Sequence, residues 1–183
     1  MSIARGALAA CFLLSVLPLQ AAAGQVHIYS YDPLSPAAKA LTRTGLSFEF
    51  ERGPLGGLRI DKVIQTGDRG SAALKPASES EIGAGGLRAA LGEQRPVGPL
   101  YEILSEDEGK AFVHAVCPGS DRAWLLIGKM DRFKDLELQA VGRRPGDKAA
   151  HACSTLAFSF RSDWRLPDQE VPAAQLHGGV GPS

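Results

Sequence analysis

The 183 residues contain no G-x-S-x-G elbow, no H-E-x-x-H pair, no G-x-x-x-x-G-K loop and no C-x-x-C pair. The first three absences remove the local signatures of an α/β-hydrolase nucleophile, a zinc protease and a phosphate cradle; the fourth removes that of a dithiol redox motif. Charge of one sign is also missing: 20 Lys and Arg stand against 20 Asp and Glu, interspersed along the chain. Nucleic acid and anionic membrane both demand a concentrated basic face, so neither is expected as a partner. The densest basic spot, Arg143-Arg144, lies beside Pro145-Gly146 and reads as a solvated turn. Histidine is scarce, with four in all, which leaves few candidates for a general base.

Long apolar runs are absent after the N-terminal segment. Met1 to Arg5 form a short positive start, Ala7 to Leu19 an apolar run broken by Ser15 and Pro18, and Ala21-Ala22-Ala23 a small-residue cleavage site. This is the pattern of a cleavable signal peptide over residues 1–23. An apolar stretch of about 13 residues falls short of the roughly 20 that cross a bilayer as a helix, so no permanent membrane anchor is expected. Leu8-Ala9-Ala10-Cys11 is similar to a lipobox, but the stronger apolar segment Phe12 to Leu19 would then remain on the mature chain, so Cys11 is taken as an ordinary residue of the apolar run. The expected location is periplasmic or secreted.

Processing would leave 160 residues and, with Arg5 gone, 19 basic against 20 acidic groups. That size suits one domain with a real core, placed at 24–166. The fold class expected is mainly β, or α+β: an antiparallel meander curled into a barrel or a two-layer sandwich, with one or two short helices. Val26 to Tyr31 has period two, and Leu46 to Phe50 and Leu58 to Ile64 read as a hairpin across Gly53 to Gly57. Ser35-Pro36 starts a short helix over Ala37 to Thr42, because serine caps free backbone amides and proline loses nothing at the first helical position. From 67 to 99 the pattern fades into Gly, Ser, Ala, Pro and charge, with a helical turn or two at Leu87 to Leu91, an irregular excursion and a natural place to seek a binding edge. Strand runs return at Leu100 to Leu104, Ala111 to Cys117, Ala123 to Met130, Leu136 to Val141 and Ala152 to Phe160. Residues 167–183, rich in Pro and Gly, are expected to form a flexible tail.

Cys117 and Cys153 remain after processing, and an oxidising compartment favours a disulfide between them. On this strand list the two would lie far apart in a flat, sequentially ordered sheet. A disulfide therefore requires the sheet to curl, to form two layers, or to abandon sequential order. The alternative is a tetrahedral zinc or copper(I) site made by His114, Cys117, His151 and Cys153. His151 and Cys153 share a strand face at i and i+2, whereas His114 and Cys117 at i and i+3 would need a bulge.

The carboxylates Glu79, Glu81 and Glu106 to Glu108 read as solvated charge rather than an acid/base pair. Gly83, Gly85 and Gly86 follow no strand and so lack the context of a phosphate loop. Tyr29 and Tyr31 share one face of the first strand and are either a binding surface or part of the core; Trp124 and Trp164 are expected in the core or at its rim. No cofactor is implied and no catalytic residue is assigned. The function expected is that of an exported, non-catalytic envelope or secreted module contacting a protein or glycan, with a periplasmic metal binder and a hydrolase without a local signature as the alternatives.

Overall fold

The computed structural model describes residues 25–53, 57–66, 70–93 and 97–166. The signal peptide expected at 1–23, with Cys11, and the tail expected at 167–183 lie outside these. Eight antiparallel strands close into a barrel in sequence order: β1 (Val26–Pro33), β2 (Leu46–Arg52), β3 (Leu58–Gln65), β4 (Ser71–Pro76), β5 (Leu100–Ile103), β6 (Arg122–Ile127), β7 (Leu136–Arg143) and β8 (His151–Arg165). Three short helices lie between them, α1 (Pro36–Leu41), α2 (Gly86–Leu91) and α3 (Gly109–Val116), with a 3-10 turn at Glu79–Glu81. Of the two expected architectures, the barrel is the one formed.

Closure is the work of β8. Its first part, His151 to Phe158, pairs with β7, and its second, Phe158 to Arg165, pairs with β1. One long strand thereby bridges what would otherwise be two exposed edges. Bulges set which side chains face inward. In β3 the register steps between Glu49 and Phe50 of its partner, so Val63 and Gln65 point inward on one side of Asp61, and Leu58 and Ile60 on the other. That step is why the period of two is blurred in the sequence.

The interior is filled by side chains. Tyr29, Tyr31, Phe48, Phe50, Leu125, Leu138 and Phe158 are all at most 3% exposed and belong to one cluster. Burying each large apolar group contributes about 1.5 to 3 kcal/mol, so this cluster is the main stabilising term. Tyr29 meets Phe50 and Phe160 edge to face, at centroid separations of 4.7 Å and 5.5 Å.

Helices α1 and α3 lie at the same end of the barrel, which we call the helix end, because both join an odd strand to the following even one. Ser35 caps α1 by accepting from the Ala38 amide at 3.2 Å, and its Oγ also accepts from the Ala157 amide of β8 at 3.1 Å. The segment Gly109–Val116 is a helix, which corrects the strand expected at Ala111 to Cys117. Its buried positions Phe112, Val113 and Val116 follow the helical i, i+1, i+4 spacing, and they close the barrel end. The 67–99 excursion also needs correction. It contains β4, short because Pro76 ends it, and its 77–92 part packs Ile82 and Leu87 on the outer face of the barrel against Trp124, Leu126 and Val141. Gly83, at φ +109, crosses so close to the β7–β8 connection that a Cβ would lie 2.3 Å from the Lys148 carbonyl oxygen.

Candidate functional site

Two clusters of polar and reactive side chains occupy opposite ends of the barrel. At the helix end, Cys117 terminates α3 and Cys153 lies on β8, and their sulfurs stand at disulfide distance with Cα atoms 5.1 Å apart. The meander brings them together: α3 leads into β6, only β7 lies between β6 and β8, and Gly142 of β7, without a side chain, stands between Ala123 of β6 and His151 of β8. Cys153 falls at a bulge: Ala140 pairs with Ser154 and Val141 with Ala152, leaving Cys153 opposite no residue. His151 then turns its Nε2 to within 3.9 Å of the Cys117 sulfur, and Ser120 Oγ lies 3.2 Å from the same atom. Gly142 creates the space, because a Cβ there would lie 2.1 Å from Cys117 Sγ and 2.4 Å from Ser120 Oγ.

Cys117, His151 and Cys153 bring their ligand atoms within 4.8 Å of one another. His114 does not join them. It lies on the exposed side of α3, so the four-residue metal set weighed as the alternative to the disulfide reduces to three. The reason is the strand-to-helix correction, which directs position 114 to solvent while Val113 and Val116 pack inward.

The opposite end, where β1 begins, β8 finishes and the β6–β7 connection crosses, we call the rim. There His27 faces Asp163, with Nδ1 and Oδ1 3.8 Å apart and their side chains 11% and 8% exposed. Neither of these two atoms has a hydrogen-bond partner, and both are buried. Arg132 Nε approaches the other carboxylate oxygen at 3.4 Å. His27 stacks on Phe50 at 5.5 Å, and Arg52 lies over Phe50 at 5.4 Å while donating to Tyr29 Oη at 3.2 Å. An unpaired buried polar atom costs about 1 to 3 kcal/mol; here the Arg132 contact to Asp163 offsets part of that cost, and the Tyr31 hydroxyl and Trp124 Nε1 are likewise buried without hydrogen-bond partners.

Next to Arg132 in the β6–β7 connection stands Phe133. It is 74% exposed, touches Phe160 edge-on at 5.4 Å, and carries the Arg132 guanidinium 4.9 Å from its ring. Its φ is +63°, a left-handed conformation that costs an L-residue with a side chain roughly 1 to 2 kcal/mol. A bulky aromatic held in that region is strained, and such strain gathers at sites of function. Trp164, expected in the core or its rim, is 64% exposed on the outward side of β8 beside this end. The bulge between Ser30 and Tyr31 shifts the parity of β8, so Asp163 rather than Trp164 faces inward.

Tyr29 and Tyr31 do not form an exposed edge: they are 3% and 1% exposed, because a closed barrel has no edge and its interior takes the large rings. Burial and the neighbouring Tyr29 push the Tyr31 phenol well above its ordinary value, and its hydroxyl has no partner. Glu81 is taken up in a capping box with Ser78, whose backbone and side-chain hydrogen bonds hold its carboxyl below the usual range. Glu106, Asp107 and Glu108 line a surface cleft of about 370 Å³ with Lys62 and Ser71, where Glu108 accepts from the Ser71 amide at 2.7 Å. Among the described residues no helix is long and apolar enough to cross a membrane.

No protein-family model, curated protein or solved structure matches this chain. Its chemistry therefore has to be read from the two sites. The rim is not legible in the sequence because its members are scattered. One local signal exists: Phe133 is a large aromatic within the polar run Asp131 to Asp135.

Proposed function

We propose that the protein is an exported, disulfide-stapled β-barrel module that binds a component of the cell envelope or secreted space through its rim, and performs no catalysis there. The observation that carries this reading is Phe133, held at φ +63° and exposed, next in sequence to Arg132, whose guanidinium reaches Asp163 of the buried His27–Asp163 pair. With the barrel interior filled by its own side chains, an interior ligand site has no room, and recognition falls to the surface. Phe133 and Trp164 offer apolar area at small entropic cost, and the Arg52 and Arg132 guanidiniums offer directed donors beside them. The buried His–Asp pair has the form of an oriented base, but among the described residues no hydroxyl or thiol hydrogen-bonds to His27, so the nucleophile of a hydrolase is not in place.

Export supports the reading from the chemistry of the sulfurs, since a Cys117–Cys153 bond persists in an oxidising compartment. Co-sedimentation of mature protein with washed envelope material tests the proposal. Retention should fall at least tenfold for Phe133→Gly and for Arg132→Ala and be unchanged for Leu34→Ala, an exposed residue at the helix end. Prior treatment of the envelope with protease or with a glycan hydrolase separates a protein from a glycan partner. Equal retention of wild type and Phe133→Gly overturns the proposal.

A further inference from the structure

We infer that the helix-end cluster is a redox-gated site for monovalent copper: Cys117, Cys153 and His151 hold Cu(I) as two thiolates and one imidazole once the sulfur–sulfur bond is reduced. This goes beyond the rim reading and is independent of it, since the two sites lie at opposite ends of the barrel.

The geometry is close to what such a site requires. With metal–sulfur and metal–nitrogen bonds of about 2.3 and 2.0 Å, a trigonal arrangement separates sulfur from nitrogen by roughly 3.7 Å. Cys117 Sγ and His151 Nε2 already stand 3.9 Å apart. The two sulfurs must open to about 4 Å in the same geometry. Side-chain rotation achieves this from Cα atoms 5.1 Å apart, and the bulge at Cys153 gives that side chain latitude a regular ladder would deny. Ser120 Oγ, 3.2 Å from Cys117 Sγ, can donate to the thiolate and so act as an outer-shell support. Gly142, lacking a side chain, leaves room for Cys117 Sγ and Ser120 Oγ.

The donor set chooses the ion. Two soft sulfurs and one imidazole suit Cu(I), whereas structural zinc takes four protein ligands, and the fourth candidate, His114, faces solvent on α3. A disulfide serving only as a staple has no need of an imidazole at 3.9 Å. Gating follows from the balance of the reaction. A dithiol reductant delivers two electrons and two protons to the Cys117–Cys153 bond and becomes a disulfide itself; the two thiols then release their protons as Cu(I) takes the thiolates. The site therefore carries either the disulfide or the metal.

The test uses mature protein under anaerobic conditions, with bicinchoninate, a chromophoric Cu(I) chelator, as competitor. Fully reduced protein should withdraw one Cu(I) per chain, oxidised protein none, and X-ray absorption should show two sulfurs and one nitrogen. His151→Ala should weaken binding at least tenfold, while His114→Ala changes nothing. Far-UV and near-UV circular dichroism of the reduced protein with and without Cu(I) monitors the fold. Failure of reduced protein to compete, binding by His151→Ala equal to wild type, a preference for Zn(II), or Cu(I) uptake by a chain that stays unfolded each overturns the inference.

Discussion

The strain at Phe133 has a measurable signature that separates conformation from contact. Truncating Phe133 to alanine or to glycine removes the same ring contacts, namely the Phe160 edge at 5.4 Å and the Arg132 guanidinium at 4.9 Å. The two variants differ only in whether a Cβ remains at φ +63°. A Cβ there costs roughly 1 to 2 kcal/mol, while glycine loses about 0.4 to 1 kcal/mol relative to alanine through the entropy of the unfolded chain. The glycine variant should thus be the more stable by on the order of 0.5 to 1 kcal/mol. For a domain of this size that difference is a Tm higher by about 1 to 4 °C. At Leu34, whose φ is not positive, the order should reverse, with alanine above glycine. Thermal and urea unfolding of the four variants, followed by circular dichroism, decides the matter. A Phe133→Gly variant less stable than Phe133→Ala refutes the strain and with it the main support for the rim.

Three further outcomes are expected from the same geometry. Reducing the Cys117–Cys153 bond, which spans 36 positions, should lower unfolding free energy by about 4 kcal/mol on the chain-entropy model, seen as a fall in denaturant midpoint. Gly142→Ala should destabilise by at least the roughly 1 to 3 kcal/mol typical of overpacking, since its Cβ meets Cys117 Sγ and Ser120 Oγ together; a neutral result would mean the cluster is loose. The Tyr31 phenol, raised in the folded state, binds its proton more tightly there than in the unfolded chain, so stability should fall as pH rises above about 10. Tyr31→Phe should remove that alkaline loss, read by unfolding at successive pH values.

Much of the barrel was legible in the sequence because its strands have one buried face. Val26 to Tyr31, Leu46 to Phe50 and Leu136 to Val141 alternate cleanly and form strands where expected. The exclusion of a flat sequential sheet by the Cys117–Cys153 pair rested on a strand at Ala111 to Cys117; with that segment a helix, Cys117 leads into β6 and only β7 separates it from β8. Two failures have one physical cause each. Ala111 to Cys117 is apolar enough to pass for a strand, and only tertiary packing against the barrel end makes it α3. Arg161 to Arg165 shows no apolar alternation, since β8 there turns Asp163 rather than an apolar group toward the interior, so the half of the strand that closes the barrel was invisible. Local patterning fails there because the residues face His27 and not a hydrophobic neighbour. Of the helix-end cluster, Cys117, His151 and Cys153 were legible, while Ser120 joins through the turn three residues after Cys117 and Gly142 only through the pairing of β7 with its two neighbours.

The rim is tested most directly in the living cell, by placing a benzophenone side chain at position 133 and, separately, at position 34, then irradiating. Binding through the rim gives a discrete adduct from position 133 and none from position 34. The same adducts from both positions, or none from 133, would contradict it.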